Sequence, residues 1–451
     1  MIRQREKTPS PKADEGRREF LKLAAASAAF GPFFLFPDRA SASQETLKIA
    51  RWPHFLPEYD EWFEGVYAKE WSSRNDTKVV VDRIPIDKIN ARAATEAAAG
   101  KGHDLFMFPW PPADFQRHVI DHTEVYQSVG SRHGTVNRIG HRSTFDPKTK
   151  RYFAFADSWM PAPLHYFEDY WKEADIPLGP VHYGDLRGGG KIIRAKTGVP
   201  CGLALGPSLE GNITLHTLLY AFRSGVLDAD GNVTLNKNYG TIKALKYVKA
   251  LFDEAGAPQQ LTWGSSDNAR AALVRKTSCT INAISLLRAA ENQDPEVAGQ
   301  MMVSPPLLGP AGVMAVPHVT SCSVVWSFAE NKAGAKQFLA DLIDNFKAVY
   351  ENSQGCNFPT YQNTVPDLIR RLENDAKAEP PFKYFRLKDA LHWTPNVGFP
   401  GYATPVTMEA FNTFVIPRMF ISVVKGELSP EDAARTADTE VQRIAEKWNR
   451  R

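Results

Sequence analysis

The chain has 451 residues, with 54 Lys and Arg residues against 51 Asp and Glu residues, and 43% of it is hydrophobic. Residues 1–42 hold eight of the basic and five of the acidic residues, so the remainder has no net formal charge. A neutral remainder gives no indication of a nucleic-acid or anionic-lipid partner, and its length exceeds what one hydrophobic core organises. We therefore expect two domains and no nucleic-acid partner.

The first 42 residues have the pattern of an export signal. A polar region ends in Gly16-Arg17-Arg18-Glu19-Phe20-Leu21-Lys22, a weakly apolar run covers residues 23–36, and Ala40-Ser41-Ala42 follows. This order is typical of a cleaved signal peptide, and the arginine pair favours the twin-arginine route. The apolar run is shorter than the roughly 20 residues that span a bilayer. We expect a mature periplasmic protein that begins near residue 43.

Strands and helices alternate along the first part of the mature chain. Short apolar runs predict strands at residues 46–51, 78–82 and 104–108. A helix between the first two carries one apolar face, formed by Tyr59, Trp62, Phe63, Val66, Tyr67 and Trp71. A second helix covers residues 86–99. Such alternation predicts mainly parallel sheets that are covered by helices on both faces.

The same alternation returns in the second part of the chain. Strands are predicted at residues 192–199 and 280–284, and helices at residues 236–255 and 333–350. A last helix starts at Ser429-Pro430, where Ser is a favoured cap and Pro a favoured first residue, and runs to about Trp448.

The four cysteines lie in the mature part, at positions 201, 279, 322 and 356. An oxidising periplasm permits disulfides, and the three possible pairings stay open. Cys279 lies in a predicted buried strand, which favours a free thiol there.

Two segments resemble a phosphate-binding loop and a nucleophile elbow, but their residue spacing does not match either motif. Gly188-Gly189-Gly190-Lys191 is followed by Ile192, and Asp185 stands where a phosphate loop needs its first glycine. The segment Gly206-Pro207-Ser208-Leu209-Glu210-Gly211 is one residue too long for a nucleophile elbow. We expect no catalysis, no metal and no cofactor.

Seven segments resemble, in order, those of the family 1 extracellular solute-binding proteins of ABC transporters, the group that includes maltose-binding protein. Gly100-Lys101-Gly102-His103-Asp104-Leu105 is similar to the family's Gly-x-Gly-x-Asp strand start, and Asn331-Lys332-Ala333 is similar to the start of a family helix. Phe167-Glu168 departs from the family's Asn-Lys. The full set covers residues 47–52, 100–105, 164–177, 240–253, 281–285, 303–310 and 331–339.

The resemblance implies an α/β fold of two lobes, each a mainly parallel sheet flanked by helices, with the ligand in the cleft between them. The chain would cross between the lobes near residues 157–160, 303–306 and 353–357. The N-terminal lobe would then hold 43–157 and 303–352, and the C-terminal lobe 158–302 and 353–451.

Ligand contacts are expected from aromatic and polar residues at strand ends and in loops. Indole and phenol rings form flat walls for sugar rings, and amides, carboxylates and imidazoles hydrogen-bond hydroxyl groups. By resemblance, the segment after the third strand, the turn at 282–285 and the loop at 399–402 match binding segments of the family. The expected set is Trp52, His54, Asp104, Trp110, Asp114, Trp159, Trp263, Asn282, Ser285, Phe399 and Tyr402.

The sequence thus favours a monomeric periplasmic receptor that delivers a carbohydrate or polyol to an ABC permease in the inner membrane. Two alternatives stay open. A receptor for a cationic amine would use the carboxylates of Asp104, Asp114 and Asp267. A periplasmic carbohydrate-active hydrolase would need two carboxyl groups facing each other across the cleft.

Overall fold

The computed structural model describes residues 45–450, so the predicted signal segment lies outside the described residues. Two β-sheets and two short hairpins organise this part of the chain. The strands are β1 (Glu45–Arg51), β2 (Thr77–Arg83), β3 (Leu105–Phe108), β4 (Phe145–Asp146), β5 (Arg151–Tyr152), β6 (Phe155–Met160), β7 (Leu164–Phe167), β8 (Cys279–Ile281), β9 (Met301–Ser304), β10 (Leu308–Gly309), β11 (Gly312–Val313), β12 (Val319–Val325) and β13 (Phe358–Pro359).

The larger sheet has the strand order β13-β6-β12-β3-β1-β2. β1 is parallel to both β2 and β3, whereas β12 is antiparallel to β3 and β6. Every residue of β3, β6 and β12 is buried, as expected for central strands with helices on both faces.

The smaller sheet has the order β8-β7-β9, and both of its pairings are antiparallel. The sheets are therefore mixed or antiparallel rather than mainly parallel as predicted. A short apolar run looks the same in either direction once both faces are covered, so composition does not report strand direction. The predicted α/β class with two lobes is confirmed; we call the lobes the large-sheet lobe and the small-sheet lobe.

Helices surround both sheets. Up to β7 the helices are Pro57–Trp62, the π-helix Phe63–Tyr67, Ala68–Arg74, Ile89–Ala99, the 3-10 turn Ala113–Phe115, Thr123–His133 and Arg138–Thr144. Between β7 and β12 they are Glu168–Lys172, Tyr183–Thr197, Leu209–Ala221, Tyr239–Ala255, Pro258–Leu261, Asp267–Leu273, Ser285–Gln293 and Pro295–Gln300. After β12 they are Lys332–Asp344, Phe346–Asn352, Gln362–Thr364, Leu368–Glu373, Lys383–Leu387, Ala390–Trp393, Pro405–Asn412, Val415–Val424 and Pro430–Asn449.

Two local predictions are wrong. Residues 192–199 were expected to form a strand, but most of them belong to the helix Tyr183–Thr197. Val66 was expected on the apolar helix face and is 44% exposed, because the π-helical turn Phe63–Tyr67 changes the angular spacing of side chains.

The chain passes between the sheets at short connections. It leaves β6 at Met160 and enters β7 at Leu164, and it returns from β9 to β12 through residues 305–318. β13 then adds residues 358–359 to the larger sheet. The exact lobe boundaries given above stay a prediction. All four cysteines are buried free thiols, and no helix within residues 45–450 has the length and apolar composition to cross a bilayer.

Candidate functional site

A cavity of about 550 Å³ lies between helices of the two lobes. It is lined by Ile86, Asp87, Asn90, Trp110, Pro207, Ser208, Leu209, Asn212, Gly264, Ser265, Phe411, Asn412 and Phe414. Its size falls within the range of small-molecule sites.

Trp110 and Phe411 form aromatic walls from opposite lobes. Trp110 follows β3 at its carboxyl end, and Phe411 lies near the end of the helix Pro405–Asn412. Their ring centroids are 6.0 Å apart with an interplanar angle of 50°. The carboxyl end of a sheet strand is where α/β folds place ligands, so Trp110 is positioned by the strand itself.

The start of the helix Leu209–Ala221 forms a further wall. The Ser208 hydroxyl accepts a hydrogen bond from the Gly211 N–H at 3.2 Å and caps the helix. A Cβ on Gly211 would stand 1.9 Å from the Gly206 carbonyl oxygen, so only glycine permits this tight turn. The Asn212 amide then donates to the Phe411 carbonyl at 2.9 Å, which ties this wall to the Phe411 segment.

Asp114 and Asn412 meet behind these walls. The Asn412 Nδ2 donates to Asp114 Oδ2 at 3.0 Å. The Oδ1 atoms of both side chains are buried and have no hydrogen-bond partner among the described residues. Burial raises the pKa of the Asp114 carboxyl to about 6.

Two residues with left-handed backbone flank the cavity. Ser266 has φ 67° and Phe414 has φ 57°, a conformation that costs free energy for residues with a side chain. The buried Glu210 holds the first of them, because its Oε1 accepts from the Ser266 N–H at 3.0 Å. Burial raises the pKa of Glu210.

Trp52 and His54 lie outside this cavity, beside a second space of about 20 Å³, enough for one water molecule. Their rings stack at 5.7 Å, and the His54 Nδ1 accepts from the Leu56 N–H. Burial lowers the pKa of His54 to about 3. Asp157, which also lines this space, accepts from the Ser158 and Ser321 hydroxyls, and burial raises its pKa to about 6.

Asp104 lies directly before β3, at the end opposite Trp110. Its carboxylate accepts three backbone N–H groups, from Lys48 at 2.8 Å, Glu330 at 2.8 Å and Asn331 at 2.9 Å. These bonds tie the start of β3 to β1 and to the helix Lys332–Asp344, so the structure gives Asp104 a bracing role away from the cavity.

The other predicted site residues are dispersed. Trp159 donates to the Pro359 carbonyl at 3.2 Å, and Tyr402 packs on His141. Phe399 packs on Tyr220. Asn282 directly follows β8 and Ser285 begins the helix Ser285–Gln293, and both are buried. Trp263 precedes the cavity residue Gly264.

Of the eleven predicted residues, only Trp110 lines the large cavity, and Asp114 is one hydrogen bond behind it. Sequence reasoning missed Asn90, Asn212, Phe411, Asn412 and Phe414. The Gly-Pro-Ser sequence at 206–208 was a usable signal for a helix start. Within the described range, no three His, Cys, Asp or Glu side chains form a metal-binding group.

Comparison with known proteins places this geometry in context. The sequence profile of the bacterial extracellular solute-binding proteins matches residues 56–345. No curated protein matches the chain in sequence.

Solved structures share the fold across nearly all of the described residues. The maltose-bound MalE3 of T. maritima is 18% identical with a TM-score of 0.72, covering 88% of this chain and 99% of that one. A sugar transporter protein of Arthrobacter chlorophenolicus A6 with laminaribiose is 14% identical with a TM-score of 0.73, covering 89% and 99%. A ribitol-bound solute-binding protein of Agrobacterium radiobacter K84 is 18% identical with a TM-score of 0.68, covering 89% and 98%.

Proposed function

Because the chain belongs to the bacterial extracellular solute-binding protein family, we propose that it is the receptor of an ABC importer for a carbohydrate or polyol. The receptor is exported by the twin-arginine route, works as a monomer in the periplasm and passes its solute to a membrane permease. It performs no chemistry itself, since a separate cytoplasmic subunit of the importer hydrolyses ATP.

The composition of the cavity lining supports a neutral, hydroxyl-bearing solute. Of the thirteen described residues that line it, none carries a positive charge and one, Asp87, carries a negative charge. The remainder are aromatic and aliphatic side chains, three asparagine amides, two serine hydroxyls and a glycine. Flat apolar walls with neutral hydrogen-bonding groups suit a sugar or polyol, which has apolar faces and polar edges.

Two of the carboxylates that an amine receptor would use are already engaged. Asp104 accepts three backbone N–H groups, and Asp267 accepts from the Gly264 N–H and pairs with Arg270. Asp87 is 61% exposed and lies 3.3 Å from the Lys88 ammonium. Asp114 and Glu210 each keep one buried oxygen without a partner among the described residues, but burial raises the pKa of both carboxyls and so disfavours the charged form that an ammonium group requires.

Lobe closure is the working step of this proposal. The solute would bind in the cavity that Trp110 of the large-sheet lobe and Phe411 of the small-sheet lobe both line, and hinge bending would close the lobes around it. The closed form would then dock on the permease.

Isothermal titration calorimetry tests the proposal. The panel contains maltose, laminaribiose, tagatose and ribitol, with choline as the cationic comparison. We expect saturable heat from at least one sugar or polyol and none from choline. Heat from choline and from none of the sugars or polyols would show that the solute is a cationic amine rather than a carbohydrate. Release of free sugar from a glycoside during the titration would instead establish a hydrolase.

A further inference from the structure

The contact between Asp114 and Asn412 joins the two lobes. Asp114 lies in the 3-10 turn Ala113–Phe115 that follows β3 of the large-sheet lobe. Asn412 ends the helix Pro405–Asn412, which packs on the helices Val415–Val424 and Pro430–Asn449 of the small-sheet lobe and also on that turn. The contact therefore lies between an element of the large-sheet lobe and an element of the small-sheet lobe.

The hydrogen bonds of this contact are incomplete. The Asn412 Nδ2 donates to Asp114 Oδ2 at 3.0 Å. Asp114 Oδ1 and Asn412 Oδ1 are both acceptors, both buried and both without a partner among the described residues. An unmade hydrogen bond at a buried polar atom costs about 1–3 kcal/mol.

A proton on the carboxyl would supply the donor that this contact lacks. With a hydrogen on Asp114 Oδ1, the O–H would donate to Asn412 Oδ1 while the amide N–H donates to Asp114 Oδ2, as in a cyclic pair of a carboxylic acid and an amide.

The charged groups around Asp114 do not compensate an ionised carboxyl. Glu409 disfavours its charge and Lys447 favours it, but the Lys447 ammonium is already held by both Glu409 oxygens at 2.7 and 2.8 Å. Burial is the largest cause of the raised Asp114 pKa of about 6. An open cleft would return the carboxyl to water and to its ordinary value of 3.8.

We propose that closing of the lobes takes up one proton at Asp114, which then binds Asn412 as a carboxylic acid, so that closure is favoured as the pH falls below neutral. The inference rests on the lobe closure that the proposed function requires, but not on the identity of the solute.

Linkage gives the sign and size of the effect. A group whose pKa is about 6 when closed and 3.8 when open stabilises the closed form fully below 3.8, and this stabilisation is lost as the pH rises through 6. Between pH 7 and pH 5, the ratio of closed to open protein should rise about tenfold.

Distance measurements on the ligand-free protein test the inference. Spin labels are attached to Lys69→Cys in the large-sheet lobe and Arg443→Cys in the small-sheet lobe. Both positions are exposed, and the four native thiols are buried. Pulsed electron resonance then gives the interlobe distance distribution at pH 7 and pH 5, with circular dichroism to show that the protein is folded.

We expect the short-distance population to grow about tenfold relative to the long-distance one at pH 5. Asp114→Asn mimics the protonated acid and should show the pH 5 distribution at both pH values. Asp389→Asn, the same change at an exposed carboxyl that does not line the cavity, should keep the pH response of the parent protein. Asn412→Asp places a second carboxyl opposite Asp114 and should move the response to higher pH.

A distribution that is the same at pH 7 and pH 5, or an unchanged response in Asp114→Asn, overturns the inference. Because no solute is present, these outcomes are independent of the calorimetry. If the protein binds sugars but shows no pH response, the receptor function stands and the proton uptake at Asp114 is wrong. If it shows the pH response but binds no sugar or polyol, the proton uptake stands and the carbohydrate receptor is wrong.

Discussion

Trp110 and Asp104 lie at opposite ends of β3, and the difference decides their roles. Trp110 follows the carboxyl end of the strand and lines the cavity, whereas Asp104 precedes the strand and accepts three backbone N–H groups. The sequence identified both as polar or aromatic residues beside a buried strand. It did not distinguish them, because the three donors to Asp104 come from segments as far away as Glu330 and Asn331.

We expect Trp110→Ala to lower the affinity for the solute by at least about tenfold, because it removes an aromatic wall of the cavity. Calorimetry with the sugar or polyol identified above measures the change. Trp62→Ala is the control, since Trp62 packs on Tyr59 and Tyr67 away from the cavity. A Trp110→Ala protein with the parent affinity would place the solute elsewhere.

We expect Asp104→Asn to lower the free energy of unfolding by about 2–4 kcal/mol with little effect on solute affinity. An amide offers one acceptor oxygen where the carboxylate offers two, and it loses the charge that strengthens these bonds. Urea unfolding measures the stability, and the exposed Asp87→Asn should stay within about 0.5 kcal/mol of the parent. A stable Asp104→Asn protein that no longer binds solute would return Asp104 to the ligand contacts.

At the scale of elements, periodicity located four of the thirteen described strands, β1, β2, β3 and β8, and the helical segments within residues 57–74, 89–99, 239–255, 332–352 and 430–449, but it failed at one glycine-rich helix. Three successive glycines at 188–190 are unfavourable inside a helix. In the structure they are helical, and a Cβ on Gly189 would stand 2.5 Å from the Trp171 ring, while one on Gly190 would stand 2.5 Å from the Cys201 sulfur. These glycines allow close packing of a helix, a tertiary requirement that local sequence does not display.

Most of the cavity residues were missed for a related reason. Phe411 and Asn412 end one helix and Asn212 lies in the first turn of another, and neither helix was predicted from the sequence. Only the approach of two helix ends from different parts of the chain makes them a site. Trp110 was found because a strand end is a local feature of the sequence.

We expect Gly211→Ala to lower both stability and solute affinity. Its Cβ would overlap the Gly206 carbonyl oxygen, so the turn at 206–211 must move and displace Ser208 and Asn212 from the cavity wall. The loss of stability should be about 1–3 kcal/mol, measured by urea unfolding, with affinity measured by calorimetry.

Gly188→Ala is the matched control, because its Cβ would meet no atom within 4 Å and it lies in the helix Tyr183–Thr197. This change should raise stability by about 0.5–1 kcal/mol. If Gly211→Ala and Gly188→Ala have the same stability and the same solute affinity, the turn at 206–211 does not hold the cavity wall in place.

At the scale of the whole molecule, the α/β class followed from the alternation of strands and helices and the two lobes from the family resemblance, whereas neither gave the direction of the strands. Burial across both lobes also sets the response to acid. Desolvation lowers the pKa of five buried histidines, to about 3 for His54, His165 and His318 and to about 4 for His122 and His216. The unfolded chain binds these protons near pH 6.5, so it is favoured as the pH falls below that value.

We therefore expect the free energy of unfolding to fall between pH 7 and pH 5. Each neutral histidine contributes a slope of up to about 1.4 kcal/mol per pH unit below 6.5. The described carboxyls of raised pKa, Asp114, Asp157, Glu210 and Glu291, act in the opposite direction but are fewer than the five histidines. Urea unfolding across this range measures the slope. His318→Leu removes one titrating ring and should reduce the slope by about one proton, while the exposed His392→Leu should leave it unchanged. A parent protein that is equally stable at pH 7 and pH 5 would mean that the histidines are hydrated enough to titrate while folded. If the histidines stay neutral in the folded protein, acid has two effects on this molecule. It favours lobe closure through Asp114, and it lowers the free energy of unfolding through the buried histidines.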